Sequence, residues 1–536
     1  MRERVLQNIS SEHFDVVVVG AGVNGCGVAR DAAMRGLGVL LLDKGDVAAG
    51  TTAGSTRLIH GGLRYLEHGE VGLVRESLRE RETLLRKSAP HLVRPLPMLV
   101  PVYDGRRRGR LTIRAGMLAY DLLSPSKTLP RHRMLDGAEA LRHAPGLEPR
   151  GLRGAALFHD AQVEYAERLA VENALDARAH GATVITYARV ERLLAEGGAA
   201  RGVVFKDLLG GATHEARARV VLNAAGPWVD EVLGGSGAGG EKLIGGTKGS
   251  HLVVRAFAGA PRAAVYAEAA EDGRPFFVVP WDDKFLIGTT EERYAGDPDR
   301  VEADGREVEY LLRETNRVLP SARLTRGDVL YTYSGVRPLP HVGAGEEAGI
   351  TRRHFLKASR VRGLYSVVGG KLTTYRSLAE EAVDLLFKLR GETPPPCETG
   401  VRPLPGASGL DPARESLASE SWLAPRTAAR LLRVYGSRAR EVARLAREEP
   451  ELAEVVSEET ASVAAEVVHA FREEMAETLA DCLLRRTMVG LNGRLGLDAL
   501  EASARIARRF LGWDEARAAS EVESYRRHVA RFRPKE

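Results

Sequence analysis

The segment "FDVVVVGAGVNGCGVARDAAMRGLGVLLLDKGD" constrains the fold of this chain more than any other. Its continuous apolar run, Val16 to Val19, suits a strand buried on both faces of a parallel sheet. Gly20, Gly22 and Gly25 follow in GxGxxG spacing, and the pattern predicts a helix over 23–35 that stops at Gly36. A second buried strand, Val39 to Leu42, ends at Asp43, about twenty residues past the glycines.

Each position has a physical reason. Gly20 permits the tight turn, Gly22 admits a pyrophosphate to the backbone, and Gly25 lets helix and strand pack closely. The first helical turn, with Asn24, presents amide groups to an anion. Asp43 accepts hydrogen bonds from ribose hydroxyls. The motif alone does not separate NAD from FAD. The stretch that follows, "AAGTTAGSTRLIHGG", favours a flavin. Its small residues and the hydroxyls of Thr51, Thr52 and Ser55 form a loop suited to a pyrophosphate and the approach to a flavin ring. No second GxGxxG appears, so the pattern fits one tightly held dinucleotide that is itself the redox centre.

Composition narrows the alternatives. The net charge of +5 over 536 residues is mild, and no aromatic-basic interleaving supports nucleic-acid binding. Cys26, Cys397 and Cys482 lack metal-ligand or disulfide spacing, so no metal is expected and a reducing cytosol fits. No apolar segment reads as a signal peptide or spanning helix, which leaves peripheral attachment as the membrane option.

"VGAGVNGCGVARDAAMRG" and "STRLIHGGLRYLEHG" resemble the opening of the FAD-dependent glycerol-3-phosphate dehydrogenases, a family within the group similar to D-amino-acid oxidase. Ala21 departs from the family's usual third consecutive glycine but leaves GxGxxG intact. "NAAGPW" resembles a segment that closes over the dinucleotide in that group, which assigns Ala225 and Gly226 to the cofactor. "SVVGGKLTTYR" resembles the family's second signature and assigns Gly370, Lys371, Leu372 and Thr373 to the flavin side. A strand ending at Val190 is expected to meet the adenine.

The resemblance implies a fold, a substrate and a route for electrons. The fold class is α/β: a Rossmann-like FAD-binding domain with a parallel sheet, an antiparallel-sheet substrate domain and an all-α C-terminal domain. The FAD-binding parts are expected at 1–88, 151–228 and 355–395. A substrate-side insertion is expected at 89–150, the substrate domain at 229–354, a linker at 396–409 and the helical domain at 410–536. The substrate is sn-glycerol 3-phosphate, oxidised to dihydroxyacetone phosphate by hydride transfer from C2 to the flavin N5. Electrons pass to a membrane quinone from a cytoplasmic enzyme attached peripherally to the membrane, and the helical region serves membrane docking or a homodimer.

A phosphate dianion calls for fixed cations, and arginine binds two oxygens at once. Arg64, Arg352 and Lys371 are the substrate-binding candidates, with Tyr65 orienting and Lys248 also considered. His60 is the expected general base, since its ordinary pKa lies nearest working pH. Arg337 orients the reacting oxygen and stabilises alkoxide charge, or is itself the nearest basic group. Gly61 and Gly62 are expected to let the chain run against the flavin ring. Helix "RLTIRAGMLAYDLLS", behind the basic run Arg106 to Arg108, reads either as core-facing or as a membrane-surface helix. An oxidase that forms hydrogen peroxide, another oxidase of a small anion, and a flavin-binding protein without turnover are the competing readings.

Overall fold

The computed structural model describes residues 2–105, 108–235, 240–342 and 352–535. Arg106 and Arg107 of the basic run lie outside them.

The apolar run becomes the strand His13–Val19, paired in parallel with Val39–Leu42 on one side and Thr213–Asn223 on the other. Thr183–Ile185 extends this sheet beyond Val39–Leu42, and Leu364–Val368 extends it beyond Thr213–Asn223. Both faces are covered, as a parallel sheet requires. The helix Val23–Met34 packs against the helices Ala166–Ala179 and Tyr375–Leu389 on one face. Gly20 holds φ at +107°, and a Cβ there would stand 2.7 Å from the Ala224 carbonyl oxygen. A Cβ on Gly25 would lie 1.8 Å from the Gly20 oxygen, so glycine alone lets the helix start against the turn.

A second, mostly antiparallel sheet carries the strands Thr247–Arg255, Lys284–Gly288, Pro275–Trp281 and Ala264–Glu268. It continues into Val93–Tyr103 and Leu152–Val163, which pair along almost their full length. Sequence boundaries give Leu152–Val163 to the dinucleotide part; its apolar inner positions instead place it within the second sheet. The outer face of this sheet buries Leu252, Val254 and Ile287 against Val308 and Leu311 of the helix Gly305–Val318.

Beyond residue 396 the chain is helical, with the helices Pro425–Tyr435, Ala439–Glu448, Ala464–Arg472, Leu500–Leu511 and Glu515–Ala530. It is not purely α, because a small hairpin joins Val455–Ser457 to Ser462–Val463. His469 and Cys482 are fully buried core residues here. The expected linker is pinned to the body: Leu404 N donates to the Ser88 oxygen and Gly406 N to the buried Glu172 carboxylate. No helix among the described residues is long and apolar enough to cross a membrane.

Candidate active site

A cavity of about 510 Å³ opens at the carboxyl ends of the parallel strands, within the range of about 300–1,000 Å³ typical of cofactor sites. Gly20, Gly22, Asn24 and Asp43 line its phosphate end, and Thr51, Thr52 and Ser55 line the loop above. Val190, Ala225 and Gly226 close the far wall, and Gly370, Lys371 and Leu372 the near one. Gly25 lies beneath, in the helix–turn contact, and Gly61, Gly62 and Thr373 are not on its lining.

The lining fits an adenine dinucleotide. Thr52 Oγ1 accepts from Val23 N at 3.1 Å, which fixes the loop to the helix start. Asp43 accepts from Ala21 N at 2.5 Å and Gly45 N at 2.7 Å. Burial pushes its carboxyl above the usual range, opposed by those two amides. A carboxylate has about four lone-pair sites, so capacity for ribose hydroxyls is left. Asn24 Oδ1 and Trp228 Nε1 are buried cavity atoms without a protein partner among the described residues, and both suit a polar ligand. Trp228 was not singled out from the sequence. Its ring fills the space beside Gly50 and receives Lys44 Nζ at 4.6 Å.

A cationic cluster stands next to this cavity. Gly369 N donates to the Pro338 oxygen at 3.0 Å, joining the segment of Arg337 to that of Lys371. Pro338 and Lys371 themselves line the cavity, so cluster and cavity share a wall. Arg337 donates to Thr289 Oγ1 at 2.9 Å and lies 3.5 Å from Glu291 Oε1. Arg352 donates to the same Glu291 oxygen. Burial pushes the Glu291 carboxyl up, but Arg352 and Arg337 outweigh it and hold the carboxyl below its ordinary range. The charge of Arg64 also acts on Glu291.

Lys371 Nζ donates to Ser77 Oγ at 2.9 Å and sits 4.7 Å from the centre of the Tyr65 ring. Burial, reinforced by Arg352, lowers Lys371 to about 7. Thr373 Oγ1 accepts from His60 N at 3.1 Å, tying His60 to the same segment. Burial and then the charges of Lys371, Arg352 and Arg81 hold His60 well below the imidazole range, so it is neutral at neutral pH. The structure therefore brings His60, Tyr65, Arg337, Arg352 and Lys371 together.

Lys248 is not among them. Thr247 pairs with Arg337 and Gly249 with Gly335, so alternation turns Lys248 to the opposite face of its strand. There its Nζ lies 2.8 Å from Glu307 and 3.4 Å from Asp304, at the start of the outer helix. The glycine pair also has another reason than the one expected. A Cβ on Gly61 would stand 2.4 Å from the Tyr120 hydroxyl, and one on Gly62 2.2 Å from the Tyr65 ring. The missing side chains make room for protein. Beneath them Tyr120 accepts from Gly61 N and donates to Asp160, which also takes Arg81 at 2.7 Å. Glu291, Asp160 and Arg81 escaped the sequence reading. In the second signature, Arg376 is structural, bound through two nitrogens to the buried Glu80 at 2.6 and 2.7 Å.

The comparisons with known proteins agree with this geometry. Residues 15–385 match the family of FAD dependent oxidoreductases, and residues 397–518 match the C-terminal domain of alpha-glycerophosphate oxidase. A glycerol-3-phosphate dehydrogenase of Synechocystis sp. is 44% identical over 98% of both chains. An aerobic glycerol-3-phosphate dehydrogenase of Bacillus subtilis is 32% identical over 93% of this chain and 90% of its own. The solved structure of the Bacillus halodurans glycerol-3-phosphate dehydrogenase with FAD superposes with a TM-score of 0.80 at 29% identity, covering 99% and 97% of the two chains. With its cofactor cavity, its two sheets and its helical C-terminal domain, the chain belongs to the FAD-dependent oxidoreductases, in the branch of the bacterial glycerol-3-phosphate dehydrogenases.

Proposed function

We propose that this protein oxidises sn-glycerol 3-phosphate to dihydroxyacetone phosphate and passes the electrons to a membrane quinone. One observation carries the reading: Arg337 and Arg352 share a single carboxylate, Glu291, beside the cofactor cavity, and Lys371 stands on the wall that cluster and cavity share, close enough for the charge of Arg352 to act on it. Two arginines less one carboxylate leave one fixed positive charge, and Lys371, at about 7, adds a second when a bound anion favours its protonated form, so the filled site complements a phosphate ester near neutral pH. A lone carboxylate substrate would be satisfied by one arginine clamp.

Bound FAD supplies the two-electron acceptor for the hydride on C2. The protein's residues hold the substrate and manage the proton. Arg352, Lys371 and Arg64 take the phosphate, and Tyr65, stacked on Lys371, limits how the glycerol chain lies. Arg337 meets the C2 oxygen and offsets its charge as the O–H bond breaks. His60, neutral before substrate enters, accepts that proton on a ring nitrogen. The charges that depress His60 belong mostly to phosphate-binding groups. A bound dianion offsets them, so the base strengthens as the site fills.

We further infer peripheral membrane attachment through the helix Arg110–Leu122. Met117 and Tyr120 face the core, while Leu111, Leu118 and Leu122 are 80%, 49% and 79% exposed on the outer side. Arg114 lies exposed among them, as suits an anionic lipid surface. The match of the C-terminal domain to that of alpha-glycerophosphate oxidase supports a second reading, with oxygen as acceptor. Turnover of glycerol 3-phosphate with a soluble quinone analogue, alongside a peroxide assay in air, separates the two. Dihydroxyacetone phosphate with quinone reduction and little peroxide supports the dehydrogenase. Stoichiometric peroxide makes it an oxidase, and no product with either acceptor refutes the substrate.

A further inference from the structure

We propose that the C-terminal helical domain is part of the apparatus that holds FAD, with Arg485 and Arg486 positioning the cofactor loop through Asp46. The loop 43–55 forms one side of the cavity. Most of its residues line the cavity, but Asp46, Val47 and Ala48 turn away and are buried. The Asp46 carboxylate receives Arg486 through two nitrogens, at 2.7 and 2.9 Å, and Arg485 Nε at 2.6 Å. Both Asp46 and Arg486 have side chains with no solvent exposure. These contacts span about 440 residues of sequence and join the first cofactor loop to the last domain.

The arrangement continues on both sides. The wide π-helical turn Cys482–Arg486 brings two successive arginines to one carboxylate, and such turns concentrate at functional sites. Arg485 is held a second time by Asp481, at 2.7 Å, and Asp481 also accepts from the Tyr187 hydroxyl at 2.7 Å. Tyr187 N in turn donates to the Gly45 oxygen, inside the cofactor loop. Arg486 Nε donates to the Glu474 carbonyl at 2.6 Å, and the Glu474 carboxylate is bound by Arg168 of the helix Ala166–Ala179. Burial pushes Asp46 up, but Arg486 and Arg485 outweigh it and keep the carboxylate ionised.

On the cofactor side, the residues next to Asp46 touch the glycine turn directly. Ala48, at φ +64°, donates its amide to the Ala21 oxygen at 3.0 Å. Asp43 takes the Ala21 amide. A left-handed alanine persists only where its surroundings over-determine it, and the buried Asp46 carboxylate two residues away supplies that constraint. The chain of contacts therefore runs from Arg485 and Arg486 through Asp46 to the turn that receives the pyrophosphate. It rests on the cofactor cavity and is independent of the substrate's identity.

The test is FAD binding by the full-length apoprotein, followed by quenching of flavin fluorescence, with the melting of each apoprotein recorded by circular dichroism. Arg485→Gln leaves the two-nitrogen Asp46–Arg486 contact in place and removes the charge-assisted bonds of Arg485 to Asp46 and Asp481. It should raise the Kd for FAD at least about tenfold. Arg485→Lys keeps the charge without the planar fork and should fall between it and the wild type. Arg433→Gln, which breaks the ion pair with Asp282 elsewhere on the same domain seam, is the control for general loosening. It should leave the FAD Kd within about threefold even where it lowers the melting point. An unchanged Kd in folded Arg485→Gln, or equal shifts in Arg485→Gln and Arg433→Gln, overturns the proposal. Should Arg485→Gln not fold, an Arg485→Lys Kd equal to that of the wild type overturns it instead, and a weakened one supports it.

Discussion

Replacing Arg337 by alanine should separate chemistry from cofactor retention. The guanidinium is anchored by Thr289 Oγ1 and Glu291, and it does not itself line the cofactor cavity. Burial and the nearby Arg352 hold it at about 10, below its ordinary value by an amount worth roughly 3 kcal/mol. It stays charged at neutral pH, and burial beside Arg352 makes that charge a cost to folding and not a gain. Its removal leaves Glu291 paired with Arg352, so the melting point should hold or rise. In the reaction the same charge meets developing alkoxide. Loss of one such preorganised donor costs about 2.7–4 kcal/mol, or roughly 10²–10³ in rate. The assay is anaerobic stopped-flow bleaching of the flavin at saturating substrate, with FAD Kd measured on the same variant. The expected outcome is that fall in reduction rate with FAD Kd within about threefold of wild type. A rate within about fivefold, or a proportional loss of FAD, would refute the assigned role.

Further predictions concern the wall of the site and the outer helix. Lys371, lowered to about 7, is protonated below that pH and neutral above it. Affinity for a non-oxidisable phosphate ester should therefore fall as pH rises above 7, by at most about tenfold per pH unit, and calorimetry on Lys371→Met should show that dependence removed. Gly62→Ala places a Cβ 2.2 Å from the Tyr65 ring at φ +80°. It should lower stability by about 1–3 kcal/mol in denaturant unfolding and weaken substrate binding, because Tyr65 must leave Lys371. Leu118→Glu with Leu122→Glu should release the protein from sedimenting anionic vesicles while leaving flavin reduction unchanged, since both side chains point away from the core.

The dinucleotide half of the fold was legible because its signal is local. Val16–Val19, the three glycines and Asp43 lie within thirty residues, and each demands its place for a separate steric or polar reason. Arg337, Arg352 and Lys371 were legible as chemistry, through residue type and resemblance, though nothing in the sequence showed that one carboxylate serves both arginines. Lys248 misled because a cation beside a glycine in a strand carries no register. Its sheet face becomes evident only once Thr247 is seen opposite Arg337. At Gly61-Gly62 the sequence does not show that Tyr120, Leu78 and Tyr65 press on the glycines, because those contacts are set by the tertiary packing. Asp46 was invisible, because its partners are some 440 residues away.

The central claim is that the cation cluster beside the cofactor cavity presents sn-glycerol 3-phosphate to a flavin. Anaerobic titration of the FAD-loaded protein with that substrate tests it most directly. The flavin absorbance should bleach to completion, with one dihydroxyacetone phosphate formed for each flavin reduced. A flavin that stays oxidised under excess sn-glycerol 3-phosphate, in protein that dithionite still reduces, would contradict it.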